Sequence, residues 1–458
     1  MSESPRTSLL LGTSLSVIAA SNIVVSFGMQ WLTVSRLGIG VQADAFYAGA
    51  TLPQMVTALM IDPLIFVLIP YFSGLAAHER HAFAWFLLIG VILCSSLIAG
   101  TMVIFSPIIV PWFVPGFSPE ALHLTVELAR IEAIGLVGVA CFTVLACFCH
   151  SHQRFVWAAL SSLSCCFIGW LVLIVGLDHG GVRLAAWIQV FVWGGPALLL
   201  LPAIGSIPRF SWVDELERAR KLWICFRPLV FSAAYTRSGF VVDRFLTSFL
   251  DQGSLVILEL ASRTLTALVR VLNQGFVTPI LPRLTMWAVD GQWERHSRLL
   301  RHRLGWIGGA SVALFVVIGI IPAWVSAEEI WARWSGVLSG SLGPHEFRTL
   351  WLVLLCGSGV LLCGGVHNLL INAFYAEGET WLPARMECVT HTTGLVMKVV
   401  GVMLGGLMGI AMAVSLFYVL NTIALGIALR RRLRTRGGLA CAVSFLPMFR
   451  EKVPPPLL

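Results

Sequence analysis

An all-α polytopic membrane protein is the fold class this sequence predicts, and three observations predict it. The 458 residues are 57% hydrophobic and only 12% charged, and the mean hydropathy is +0.86, a balance that soluble domains do not reach. Long apolar stretches recur with short polar gaps, unlike the short alternating segments of a β-barrel. One stretch, from about Ile257 to about Trp287, holds Glu259, Arg263 and Arg270. At 100° per residue Arg263 lies about 40° and Arg270 about 20° from Glu259, so the three share one helical face. Ionisable groups at membrane depth are costly unless paired or wetted, so this face requires a polar interior and marks a transporter or channel.

Windows of about 20 residues give about twelve spans, near 10–34, 45–74, 83–112, 121–149, 154–177, 184–206, 222–250, 256–286, 302–325, 348–374, 384–404 and 408–429. The first is apolar over Ser8–Val25. Met1–Thr7 is weakly basic and no small-residue cleavage site follows, so a retained helix is expected rather than a signal peptide. The second opens at Asp44, which reads either as a cap on a helix N-terminus or as a gate contact on the outer side. Asp62 lies mid-span before Pro63, where a carboxyl is open to protonation and to proton coupling. The third ends at Trp112, a residue type that gathers at the membrane interface. The fourth carries Glu127, Arg130 and Glu132, and the Glu127–Arg130 spacing reads as a local tie. At its inner end, Cys147-x-Cys149-His150-x-His152 resembles a metal cluster, but neighbouring ligands on one helix do not converge tetrahedrally. Buried thiols and interfacial histidines are expected there. The fifth and sixth spans lie either side of a gap holding Arg183.

The seventh contains Arg237, Asp243 and Arg244. Adjacent residues point about 100° apart, so Asp243 and Arg244 face different partners, while Arg237 and Arg244, seven apart, share a face. Arg244 reads either as a cavity charge or as a cation that snorkels or pairs with an acid across helices. The eighth is the charged stripe; its bland reading is an i,i+4 pair, Glu259–Arg263, facing a neighbouring helix. The ninth ends at Trp324, and the tenth starts near Trp351 and includes Gly364-Gly365. Gly401 and Gly405-Gly406 mark the eleventh and twelfth, where close approach or bending is expected.

The net charge of +8 is a topology signal rather than a nucleic-acid signal. With a cytoplasmic N-terminus, 21 of 31 basic residues lie inside, only Arg36, Arg183, Arg333 and Arg348 lie outside, and six fall within spans. The positive-inside rule then places both termini in the cytoplasm. Two basic loops, 207–222 and 283–303, divide the chain. Residues 1–206 form a six-helix lobe, 207–222 a connector, 223–436 a second six-helix lobe and 437–458 a cytoplasmic tail, with a central cavity between the lobes. The connector reads either as an amphipathic helix on the inner leaflet or as a solvated link. The Arg-rich tail is expected to meet anionic phospholipids. The eleven cysteines form no CxxC and read as buried free thiols. With no P-loop, GxSxG or HExxH, no cofactor or catalytic set is expected.

Several segments resemble the MurJ/MviN family, lipid II flippases of the MOP exporter superfamily. They are Gly38-x-Gly40-x-x-Ala43-Asp44-Ala45-Phe46-Tyr47 with Leu52-Pro53, Pro115-Gly116-Phe117, Val242-Asp243-Arg244, Ser248-Phe249-Leu250, Gly253-Ser254, Ala261-Ser262-Arg263, Leu281-Pro282, Phe374-Tyr375-Ala376 with Pro383, and Gly409-Ile410-Ala411 with Leu420-Asn421. The resemblance runs over about 8–436. It implies a V-shaped cavity between two lobes, alternating access, and an undecaprenyl-diphosphate-linked saccharide as cargo. It implies a bacterial inner-membrane location and envelope-synthesis proteins as partners. Many family members add two C-terminal helices that hold a lipid groove; with about twelve spans here, that groove is expected to be absent.

The departures carry information too. Family arginines of the first two helices fall at Ile23, Met29 and Thr57, none basic, while Arg263 matches the eighth-helix arginine. Arg263 is therefore the retained diphosphate anchor, with Glu259 limiting its charge, and Arg270 or Arg237 supplying charge lost from the first lobe. A sodium site of some members falls at Asp243, Gly394, Lys398 and Val414. Lysine has no acceptor, so an Asp243–Lys398 ion pair in place of bound sodium is expected. The alternatives are another lipid-linked glycan as cargo, a non-transporting scaffold of an envelope complex, and a cation-coupled drug antiporter using Asp62 or Asp243.

Overall fold

The computed structural model describes residues 5–208, 211–277, 280, 284, 286–288, 290–324, 344–377, 379 and 381–438. Eight segments among them are long and apolar enough to cross a membrane. In hydrocarbon every backbone donor and acceptor must pair within its own segment, which forces helix. In order they begin with α1 (Pro5–Leu37), then α2 (Val41–Gly49), α3 (Thr51–Val56), a π-helical turn (Thr57–Ile61) and α4 (Asp62–Gly74), which together make the second crossing. The π turn sits just before Pro63, whose missing N–H breaks regular helical bonding. α5 (Ala77–Phe113), α6 (Pro119–Ser151) and α7 (Phe155–Ile204) complete the first half. The second half holds α8 (Trp212–Thr247), α9 (Ser254–Leu272) with a π turn (Asn273–Val277), α10 (Trp293–Trp324), α11 (Pro344–Cys356), α12 (Gly359–Ala376) and α13 (Trp381–Gly438).

α7 and α13 are each a hairpin. Gly181, at φ 57°, turns α7 back on itself, so that Gly169 lies against Ile188 and Val192. Gly406, at φ 54°, turns α13, and Gly394 lies against Phe417. Both backbones are in the left-handed region that glycine enters freely. These correspond to the expected fifth with sixth and eleventh with twelfth spans. α8 and α9, read as the seventh and eighth, are more charged and are not among the eight segments that hydropathy marks.

The connector at 207–222 is not an element of its own. Its residues from Trp212 on are the first turns of α8, which runs on unbroken through the boundary expected at 222. Arg218 ties this end to the first half, with Nη2 2.6 Å from Glu79 and Nη1 2.6 Å from Glu215. Leu222 joins an apolar core with Leu68, Phe72, Phe83 and Leu200. The expected tail at 437–458 begins inside α13, and 439–458 lie outside the described residues.

Lipid tails are as apolar as leucine, so helices here associate by close packing rather than by escape from water. Gly138 on α6 meets Gly194 on α7, and Gly401 meets Gly409 within α13. Ile104, Trp112 and Leu404 point outward, exposed as a lipid-facing surface requires. One core cluster joins the halves, uniting Val34, Phe46 and Tyr47 with Leu246, Leu255 and Ile410. It lies at the end that carries the 38–40, 114–118 and 248–253 turns. At the opposite end the second half has its own core around Leu284, Leu369 and Phe374, apart from that of the first.

Candidate functional site between the halves

α9 starts at Gly253, whose φ of 88° suits glycine and whose missing Cβ leaves room for Ile39 of the α1–α2 turn. The first N–H groups of a helix have no partner within it. Here Asp44 of α2 supplies one: Oδ2 accepts the Gly253 N–H at 2.5 Å and Oδ1 accepts the Val256 N–H at 3.0 Å. The negative charge also faces the positive end of the α9 dipole. Asp44 thus sits on a helix N-terminus, but that of α9 rather than of the helix it belongs to. It lies in the first turn of α2, whose N-terminus has no side-chain cap, and it closes a helix of the other half.

One turn deeper, Glu259 is buried and holds two arginines. Its Oε2 is 2.5 Å from Arg244 Nη2 and its Oε1 2.5 Å from Arg263 Nε. Arg244 Nε also donates to Thr51 Oγ1 at 3.2 Å. Arg244 therefore pairs across helices and does not snorkel, and its side chain is only 4% exposed. Arg263 stacks over the Tyr47 ring at 5.3 Å and keeps 26% of its side chain exposed. It lines a small cavity with Met29, Gln30, Thr33, Gln54 and Gln189. Beneath, Glu132 on α6 is fully buried.

The structure thus brings Asp44, Arg244, Glu259 and Arg263 into one network, and leaves the other expected residues outside it. Arg270, seven residues on, is exposed and not part of the network. Arg237 lies 5.8 Å from the Phe240 ring. Lys398 Nζ is 2.7 Å from Asp243 Oδ1 and 2.9 Å from Oδ2, a separate ion pair between α8 and α13. Gly394 packs on Phe417 and Val414 on an apolar cluster. The Asp62 side chain lies outside the described residues. The local Glu127–Arg130 tie does not form: Glu127 is 2.7 Å from Arg183, and Arg130 Nε donates to the Val103 carbonyl and Ser106 Oγ, both at 3.2 Å. Cys147 and Cys149 are buried in the first-half core. Sequence reasoning missed Tyr47, Thr51 and the three glutamines. Neutral polar residues in a span carry a weak signal, although Tyr47 stands beside Asp44 in the quoted motif.

The family model described as "Lipid II flippase MurJ" matches residues 33–449. The chain belongs to the MurJ family. A "Probable lipid II flippase MurJ" of Vibrio cholerae is 25% identical over 217 residues, covering 47% of this chain and 39% of that protein. One of Thermotoga maritima is 24% identical over 324 residues, covering 69% and 63%. A "Probable low-salt glycan biosynthesis flippase" of Haloferax volcanii is 23% identical over 262 residues, covering 56% and 50%. The chain therefore spans between about two fifths and two thirds of the length of these relatives. Among solved structures, MurJ in an inward closed conformation superposes with TM-score 0.74 at 15% identity, covering 92% of this chain and 89% of that one. An inward-facing multidrug resistance MATE transporter of the MOP superfamily gives 0.71 at 13%, covering 92% and 96%. At these identities the likeness is one of fold. Within the MurJ family, then, this multi-pass membrane chain has Arg263 opposite Met29 and glutamines.

Proposed function

We propose that this chain is a flippase. It moves a polyprenyl-diphosphate-linked saccharide, lipid II or a related lipid-linked glycan, from the cytoplasmic to the periplasmic leaflet of the bacterial inner membrane. The observation that carries this reading is Arg263. It stands between the halves, holds Glu259 by one nitrogen and lines a cavity. A guanidinium with spare donors grips a phosphate in a planar fork. Gln30, Gln54 and Gln189 offer neutral hydrogen bonds to a glycan or to ester oxygens. The relatives' names, two lipid II flippases and one glycan flippase, support a lipid-linked glycan as cargo.

With both termini cytoplasmic, the end where the halves share a core is periplasmic, so the contacts described above close the periplasmic side. Asp44 on the α9 N-terminus and Arg244 on Thr51 close the outer side. Opening it requires breaking these contacts while the inner ends converge. Arg270 and Arg237 add positive charge along the path. The Lys398–Asp243 pair takes the place of a bound cation, so transport is insensitive to replacing Na⁺ by choline. Anionic phospholipids meet the basic loops, and envelope-synthesis proteins supply or consume the cargo.

The deciding experiment depletes the host's own lipid II flippase with this chain as the sole replacement. Growth with the wild type and none with Arg263→Ala, at equal membrane expression, is the expected result. Equal growth with both removes Arg263 from the mechanism. Failure of both transfers the reading to another glycan or to a scaffold.

A further inference from the structure

Glu132 has no place in the network described above, yet it is the most deeply enclosed carboxyl near it. It is 0% exposed, and neither oxygen has a hydrogen-bond partner among the described residues. An unpaired carboxylate in an apolar interior is costly, and a proton bound to it removes that cost. The Tyr47 hydroxyl, on α2 packed against Leu128 and Ala129 of α6, is likewise buried and without a partner among the described residues. The charged groups facing this pocket can be named element by element. From α9 come Arg263 and Glu259, and from α8 comes Arg244. From α2 come the Asp44 carboxylate, which accepts the Gly253 and Val256 N–H groups, and the Tyr47 phenol. On α6 itself Glu127 is held by Arg183, and Arg130 by α5. The Asp62 side chain, on α4, is not described. Arg263 reaches α2 over the Tyr47 ring, and α2 packs on α6 one turn from Glu132, where Gly49 meets Leu128 and Ala129; no ion pair joins Arg263 and Glu132, since Arg263 gives its Nε to Glu259.

Arg244 and Arg263 share the single carboxylate of Glu259, so the charge of Arg263 itself is only partly neutralised there. An ionised Glu132 cancels that charge; a protonated one leaves it. We propose that Glu132 is a proton-binding site whose occupancy sets the charge available at Arg263, so that the chain binds a proton and an anionic diphosphate together. The proton adds to the carboxylate from water reaching the Arg263 cavity and returns to water when the anion leaves. No other bond changes. Linkage is reciprocal: an anion at Arg263 raises the affinity for the proton by the factor that the proton raises affinity for the anion.

The anion arm of this inference rests on Arg263 as the diphosphate site; the proton arm does not. Two measurements on purified, lipid-reconstituted protein keep them apart. Infrared spectroscopy at neutral pH is expected to show a protonated carboxylic acid band that disappears in Glu132→Gln and in Glu132→Leu. Calorimetry with inorganic pyrophosphate is expected to show affinity falling by about tenfold per pH unit at alkaline pH, relative to Glu132→Gln, in which the probe's own titration is the only contribution. A wild-type spectrum identical to those of both variants overturns the proton site. A clear infrared difference with equal pH slopes overturns the linkage. Absence of pyrophosphate binding in wild type and variant at every pH overturns the Arg263 anion site, and the linkage with it.

Discussion

Glu259 holds two guanidiniums at once, and this sets what its removal does. Glu259→Ala leaves Arg244 buried without its counter-ion, and breaking a buried pair in this way costs about 3–5 kcal/mol. A thermal unfolding scan in detergent is expected to show a large loss. The Glu259→Ala/Arg244→Ala double variant is expected to recover part of it, and a double variant less stable than the single one contradicts the pairing. Arg263→Ala, by contrast, removes a partly exposed cation that retains a neighbour's carboxylate, so it is expected to fold and to lose transport. The Glu259–Arg263 spacing is legible in the sequence because both lie on one helix at i,i+4. The claim of Arg244 on the same carboxylate is not, since periodicity describes one helix and this bond joins two. Which helix Asp44 caps is not legible for the same reason.

At the scale of elements, the two hairpins depend on close backbone contact. Gly401 faces the Gly409 carbonyl, so Gly401→Leu is expected to splay α13 and reduce folded yield in fluorescence-detected size-exclusion chromatography. The ends of that hairpin are tied outside the bilayer by Glu379 and Arg432. Burial alone raises the Glu379 carboxyl, but the Arg432 hydrogen bond and the Leu382 N–H outweigh it and hold it below its ordinary 4.5. A depressed carboxyl stabilises the fold above its unfolded pKa and loses that contribution as pH falls through the folded one. Wild type is therefore expected to melt above Glu379→Gln at neutral pH and to converge with it in acid. A constant gap in melting temperature from neutral to acid pH contradicts this. The hairpins are legible from apolar length and paired glycines. The continuity of α8 is not, because its first turns alternate charged and apolar residues as a surface helix does. Its Glu, Arg, Lys and Leu content nonetheless favours helix, and the Glu217–Lys221 and Glu215–Arg218 pairs hold it.

For the whole molecule, the halves share a core at one end, while at the other the core of α10, α12 and α13 stands apart from the first-half core, which only the start of α8 joins. Positive-inside counting supplies the expectation of which end faces the cytoplasm, but the state of closure has no signature in a single sequence. Thiol labelling tests it. Arg270→Cys is expected to react from the cytoplasmic face, and Ser254→Cys, at the buried start of α9, from neither. Adding Asp44→Ala is expected to expose Ser254→Cys from the periplasm. Reaction of Ser254→Cys from outside without that change means that the outer end is already open. One further consequence follows from α8. Its 36 residues make a rod about 54 Å long. One end is riveted to the first half through Arg218, and the other carries Arg244 at the closure. A tilt of about 5° over that length moves the far end by about 5 Å, roughly one helical turn. A small rocking of the anchored end is thus mechanically sufficient to pull Arg244 away from Thr51. In this molecule the latch and its handle are opposite ends of a single lever.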